Sequence, residues 1–182
     1  MTFSMKTHTG KIKWLRSLSR RYFEDGVVIG EMFFYCYETG IVRRVLVNKQ
    51  GELKLYNREV NVATKNYLRV SIPGTNYYLY QHIIAAVGLG LYDNIADKDL
   101  KGLIINHKNG DGFNNRPQNI EVVTHSLNTR HGWAIKALKQ RGLWDGKLAM
   151  SAQAADYMME NKIIGKYSIE QMLEAGLLEL IA

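Results

Sequence analysis

The period of the apolar positions changes several times along the chain. Over residues 10–23, Ile12, Leu15, Leu18 and Tyr22 recur at helical spacing, with Lys11, Lys13, Arg16, Arg20 and Arg21 between them. This predicts a short basic amphipathic helix, to lie along a phosphate backbone or simply to face solvent. From Met32 to Tyr80 the pattern is that of strands, at 33–37, 41–47, 53–56, 67–72 and 77–80, parted by turn signals such as Glu38-Thr39-Gly40 and Pro73-Gly74-Thr75-Asn76. Such alternation predicts an antiparallel meander with one covered face. Residues 81–91 read as a short buried helix stopped by Gly88 and Gly90. A strand then delivers Asn106-His107 to a turn at Asn109-Gly110-Asp111-Gly112, and a second strand returns over 120–123. Residues 126–141 read as a helix with Trp133, Ile135 and Leu138 facing inward, and 151–161 and 168–175 as two more, each opened by a serine cap.

The fold class is therefore α+β: an antiparallel β-meander leading into a strand–loop–strand–helix core, with a small helical C-terminal appendage. The expected units are a basic arm or helix over 1–30, an antiparallel β region with a short helix over 31–101, the core over 102–141 and a helical module over 150–182. A length of 182 residues suits one domain with a small addition. The single cysteine, Cys36, excludes an internal disulfide framework and a four-cysteine zinc ribbon. No apolar run approaches the roughly 18 residues of a membrane span. The first 25 residues are basic, without the apolar stretch of a secretory signal. A cytoplasmic protein without membrane contact is the expectation.

Charge sharpens the picture. Residues 1–70 hold 13 basic and 6 acidic side chains, a surplus of seven; 71–149 hold 9 and 6; 150–182 hold 2 and 5. A basic first two-thirds suits a polyanionic partner, because neutralising phosphates releases counterions, although a net charge of +7 also serves solubility. Arg43, Arg44, Lys54, Arg58, Lys65 and Arg69 sit among strand aromatics and are expected to stud one open face.

Residues 103–133 gather amide and imidazole groups where strand meets helix. Hydrolysis of a phosphodiester needs a nucleophilic water, a base titrating near neutrality and a cation to neutralise charge on the phosphate. Histidine supplies the base, and side-chain oxygens of Asn or Asp suit a hard ion such as Mg2+. Asn106-His107, Asn119 and Asn128 resemble the H-N-N version of the HNH nuclease motif on a ββα-metal fold. Phe34-Tyr35 before Thr39-Gly40-Ile41-Val42-Arg43, then Tyr67-Leu68-Arg69-Val70, then Tyr80-Gln81-His82 with an apolar helix, are similar in layout to phage and intron-encoded HNH homing endonucleases. The likeness covers roughly residues 31–135.

That resemblance implies a metal-dependent endonuclease that nicks or cleaves double-stranded DNA, with Mg2+ as cofactor, Mn2+ as a substitute and no small-molecule cofactor. It implies His107 as general base, Asn128 as metal ligand and Asn119 as the brace that orients the base. Asn106 stands where many members have an aspartate ligand. His131, three residues beyond Asn128, is a candidate additional ligand or a contact to the scissile phosphate. Arg116 and Arg130 are candidate phosphate clamps. Other polar residues have structural readings: His82 as a packing residue, Asn109, Asn114 and Asn115 as turn formers, Asp111 as a loop residue and His125 as surface.

In the tail, Gln153, Asn161 and Gln171 suit base-edge contact, whereas Met150, Met158, Met159 and Met172 suit packing or a protein partner. Packing or protein contact is the favoured reading. Two alternatives to a nuclease remain at this point. One is a catalytically silent HNH-derived protein that binds DNA or a protein partner, motivated by Asn106; the other is an RNA-binding basic β-protein.

Overall fold

The computed structural model describes residues 19–20, 27–29, 32–36, 42–47, 50, 53–56, 61–71, 78–93 and 102–181, with side chains at 42, 50, 65–70, 78–93 and 102–181. Strands β1 (Ser19–Arg20), β2 (Val27–Ile29), β3 (Met32–Cys36), β4 (Val42–Val47) and β5 (Leu53–Tyr56) form one sheet in chain order, each antiparallel to the last. A second sheet holds β6 (Asn61–Thr64), β7 (Tyr67–Ser71) and β8 (Tyr78–Tyr80). Two expectations change here. Ser19–Arg20 is a strand, so the helix expected over 10–23 does not reach its predicted end; residues 1–18 lie outside the described residues. The strands also divide into two sheets rather than one, with β6 a strand that its short Asn-Val-Ala-Thr sequence did not mark.

Helix α1 (Gln81–Gly88) follows β8 directly, and all eight of its residues are buried. It packs against β2, β3 and β4 of the first sheet, β7 and β8 of the second, and the hairpin that follows. A helix apolar on every side has this position because only burial on every side satisfies it. Ile83, Ile84, Ala85, Ala86 and Val87 make a core with Val42, Leu79, Tyr92 and Ile120.

The hairpin pairs β9 (Leu103–His107) with β10 (Ile120–Thr124), His107 opposite Ile120 and Asn106 opposite Glu121. Helix α2 (His125–Gln140) follows without a linker. Its first turn is capped by Thr124, whose hydroxyl accepts the Leu127 amide at 3.3 Å. The apolar face of α2 lies on a second core, in which Ala134, Ile135 and Leu138 meet Leu148, Met150, Ala155, Met158, Met172 and Leu178. Trp133, expected to face inward, is 58% exposed. The buried stripe of α2 runs through 131, 134, 135 and 138, and Trp133 lies across the helix from it.

Strand β11 (Leu148–Ala149), helix α3 (Ala152–Glu160), helix α4 (Ile169–Glu174) and strand β12 (Glu179–Leu180) complete the described chain, β11 pairing with β12. Ser151 caps α3, and Ser168 with Gln171 forms a reciprocal capping box on α4. Both serines had been expected to open helices. This part of the chain is the other half of α2's core rather than an appendage: Met150, Met158 and Met172 are buried, and of the four methionines only Met159 is exposed. Gln171 is used in the capping box, and the Asn161 amide donates to the Tyr157 carbonyl, so neither is held in reserve for base edges. Among the described residues no helix is long and apolar enough to cross a membrane.

Candidate active site

The hairpin rests on the first core and α2 on the second, so the loop between β9 and β10 sits at the seam of the two. Asn119, fully buried, ties that loop down. Its side-chain oxygen accepts the Asn109 amide at 3.0 Å, and its Nδ2 donates to the Asn109 side chain at 2.9 Å and to the Asn114 carbonyl at 2.7 Å. The Lys108 amide donates to the Asn119 carbonyl at 2.7 Å. Asn109 and Asn114 fold the loop locally, accepting the amides of Asp111 and Arg116, as their turn chemistry implies. Gly110 takes a left-handed φ of 75° beside Ile135 of α2. Gly112 lies so close to the β6–β7 turn that a Cβ there would run into the Asn66 carbonyl oxygen and sit 2.8 Å from the Tyr67 ring.

His107 ends β9 and is 6% exposed. Its Nε2 lies 2.8 Å from Oδ1 of Asn115. A carbonyl oxygen only accepts, so Nε2 carries the proton and Nδ1 the lone pair in this arrangement. Burial holds the imidazole below its usual pKa, opposed in part by the Asn115 hydrogen bond and by the charge of Asp111. The ring is therefore neutral, the form a general base requires, through the neutral pH range.

His107 shares a cavity of about 250 Å3 with Asn106, Asn128, His131, Tyr67 and Gly112. Asn106 is buried, and its Nδ2 donates to Oε1 of Glu121 at 2.7 Å. Asn128, half-buried on the first turns of α2, faces the same cavity. The two amide oxygens are hard, neutral donors of the kind that hold Mg2+ with several of its waters retained, and the cavity has room for such an ion. The donor set therefore fits a weakly held divalent cation. Among the described residues no three His, Cys, Asp or Glu side chains cluster as a tighter site would require.

His131 lines the cavity too, but its Nε2 lies 2.9 Å from the Met150 carbonyl and 3.2 Å from that of Lys108. It therefore donates there, tying the hairpin to the segment after β11, and Nδ1 alone is left for a ligand. Burial also holds this imidazole below its usual pKa. Arg130, expected as a phosphate clamp, instead forms an ion pair with Asp156 of α3, and Glu160 lies 3.7 Å away. These carboxylates compete with any phosphate for it. Arg116 is half-buried beside the loop. His125 is exposed at the start of α2.

Aromatic rings link the site to the second sheet. The His82 ring stands edge-on to His107 at 5.5 Å, stacks on Tyr80 at 5.4 Å and meets Tyr67 at 5.2 Å. The packing reading of His82 thus gains a particular partner, His107. In register, Arg69 lies opposite Tyr80, and Ser71 opposite Tyr78. Residues 67, 69, 78 and 80 therefore share one face of the sheet, and their side chains are exposed or half-buried while Leu79 turns into the core. The Arg69 guanidinium lies 3.9 Å over the Tyr78 ring, and Lys65 stands exposed in the adjoining turn. A basic, aromatic surface thus runs up to His107. The expectation of one face holding six cations does not survive. Arg43, Arg44 and Lys54 belong to the other sheet, Arg43 and Arg44 are successive strand positions that alternate between its faces, and Arg58 lies outside the described residues.

Four residues at the site were not singled out by sequence as site residues. Asn115 read as a turn former, Tyr67 as a strand residue, Gly112 as part of a turn signal, and Glu121 attracted no reading. The spacing of Asn115 from His107 across a polar loop carries no periodic signal, so only the closed loop shows the pair.

No curated protein and no solved structure matches the chain. Residues 99–130 match the family model described as HNH endonuclease, a stretch that holds Asn106, His107, Asn119 and Asn128. The β9–loop–β10 unit and the start of α2 are thus the part of this chain that is similar to HNH endonucleases.

Proposed function

We propose that the protein is a metal-dependent DNA endonuclease of the homing type, which hydrolyses a phosphodiester bond of duplex DNA. The observation that carries this is the placement of a buried, neutral His107, its Nε2–H held by Asn115, in one cavity with the amides of Asn106 and Asn128. Nδ1 of His107 takes a proton from water as that water attacks phosphorus, and the bond to the 3′ oxygen breaks. Asn106 and Asn128 would hold Mg2+, with Mn2+ as a substitute. The ion, when bound, supplies positive charge to the phosphate and the departing oxygen. Asn119 acts at one remove, by fixing the loop that carries Asn115. Tyr67, Lys65 and Arg69 offer the duplex a surface beside the site, with Arg116 and the first sheet's Arg43, Arg44 and Lys54 as further contacts and Arg58 assigned from sequence alone. One site per chain favours a nick over a double-strand break.

A supercoiled plasmid bearing the protein's own genomic locus tests this, incubated at pH about 8 with Mg2+, Mn2+ or EDTA. The expected result is metal-dependent open circles from the wild type and none from His107→Ala or Asn128→Ala. The neutral donor set favours one competing reading, a protein that keeps the fold and binds DNA without cutting. Intact plasmid that is nonetheless retarded in a gel would establish that reading instead.

A further inference from the structure

Asn106 is a neutral amide at a ligand position, and an amide is ambiguous: turned over, it presents NH2 where the oxygen stood. An NH2 group carries no lone pair for a cation, so the ligand role requires something that selects one orientation. We propose that Glu121 is that positioning residue, and that it makes Asn106 an oxygen ligand by accepting its NH2 on the opposite side. The proposal rests on the reading of Asn106 as a metal ligand given above.

Three observations support it. Asn106 and Glu121 are directly opposed across the β9–β10 ladder, a placement that backbone pairing fixes. The contact is 2.7 Å from Nδ2 to Oε1, and a carboxylate only accepts, so the amide nitrogen turns toward Glu121 and Oδ1 away from it. Glu121 is itself anchored, because the same Oε1 accepts the backbone N–H of Ala152 at 2.7 Å, in the first turn of α3. The positive end of that helix adds to its hold on a carboxylate. The grip on Asn106 thus comes through Glu121 from a residue 31 positions beyond that glutamate, in the segment that also shares α2's core.

The arrangement implies a reciprocal pair. Asp at 106 facing Glu121 sets two carboxylates together and removes the only donor between them. Asp at 106 facing Gln at 121 removes that charge pair and gives the aspartate a neutral neighbour with an NH2 to offer. Glu121→Ala leaves the Asn106 NH2 no acceptor on that side and selects neither orientation, whereas Glu121→Gln alone keeps its oxygen on Ala152, the atom that also accepts Asn106.

The full-length wild type and Glu121→Ala, Asn106→Asp and Asn106→Asp/Glu121→Gln are titrated with Mn2+, free ion being read by electron paramagnetic resonance. Nicking and the thermal midpoint in EDTA are measured on the same samples. The expected results are about a 10-fold weaker Mn2+ affinity for Glu121→Ala, within the range known for residues that orient metal ligands. Asn106→Asp should bind no tighter than wild type, and the double variant should recover to at least the wild-type value. Unchanged affinity in Glu121→Ala overturns the proposal, as does an Asn106→Asp protein that binds more tightly than the double variant. So does an equal loss of affinity and midpoint in all three variants. Failure of the wild type both to bind Mn2+ and to nick removes the nuclease reading and this inference together. Metal-dependent nicking by the wild type, with the variants indistinguishable from it, removes this inference alone.

Discussion

Nε2–H of His107 donates to Oδ1 of Asn115, 2.8 Å away and eight residues further on, and this contact decides which nitrogen of the ring keeps its lone pair. Removing it in Asn115→Ala leaves a buried N–H without its partner and the ring free to turn or change tautomer. Nicking should fall by about 100-fold, the lower part of the range that general-base catalysis supplies. Asn115→Asp is more informative. A carboxylate on Nε2 raises the imidazole pKa, so the acid limb of the pH–rate profile should move to higher pH while the alkaline plateau survives. Rate profiles of the three proteins, from pH 5 to 9, check both expectations.

His107 and His131 are both held below the ordinary histidine pKa by burial. Unfolded, each titrates near 6.5, so below that pH the unfolded chain binds protons that the folded chain refuses. The thermal midpoint measured in EDTA should be level above pH about 7 and fall as the pH drops through 6.5 toward the folded-state values. His131→Asn should flatten that slope in part. A midpoint that rises on acidification would contradict the burial of both rings. For the reaction, the same sign places the acid limb of the wild-type profile below 6.5.

Asn119→Ala strips the loop of three hydrogen bonds and leaves Asn109 and Asn114 with buried polar groups unmatched. With about 1–3 kcal/mol for each buried group left unsatisfied, the loss should come to about 3 kcal/mol. Asn119→Asp should cost at least as much, because a carboxylate cannot donate to either of the two oxygens that Nδ2 serves. Urea unfolding monitored by Trp fluorescence measures both. Loss of nicking should accompany each, through the loop that carries Asn115.

Gly112→Ala places a methyl group against the Asn66 carbonyl and the Tyr67 ring. The first of these is backbone and cannot swing aside, so the β6–β7 turn must move off the loop. An overpacking cost of about 1–3 kcal/mol is expected. Affinity for duplex DNA should drop along with it, because Tyr67, Lys65 and Arg69 shift relative to His107. A gel-shift titration of Gly112→Ala against Gly146→Ala, where nothing beyond its chain neighbours lies within 4 Å of the added carbon, separates the close approach from a general effect of alanine.

Local pattern made part of this legible. Asn106-His107, Asn119 and Asn128 stand in a hairpin and a helix whose boundaries follow from short-range signals, and α1, α3 and α4 declared themselves through apolar runs and serine caps. What stayed hidden depends on contacts distant in sequence. Asn115 meets His107 only once the loop is closed, Glu121 meets Ala152 across 31 residues, and Arg130 finds Asp156 only when α3 lies on α2. Trp133 misled because its size outweighed its phase: the stripe defined by Ala134, Ile135 and Leu138 leaves it outside. The strands β1, β11 and β12, of two residues each, are too short to show any alternation.

The loop anchored by Asn119 also governs how the protein ages chemically. Asn109-Gly110 is the sole Asn-Gly dipeptide in the chain, the pairing most prone to spontaneous deamidation, since glycine lets the following amide nitrogen attack the asparagine side chain. In the folded loop that nitrogen is occupied, donating to the His107 carbonyl at 2.8 Å, and the Asn109 side-chain oxygen is held by Asp111 and Asn119. The bonds that shape the loop thus also keep it from converting itself, unaided, into an aspartate or isoaspartate variant two residues from His107.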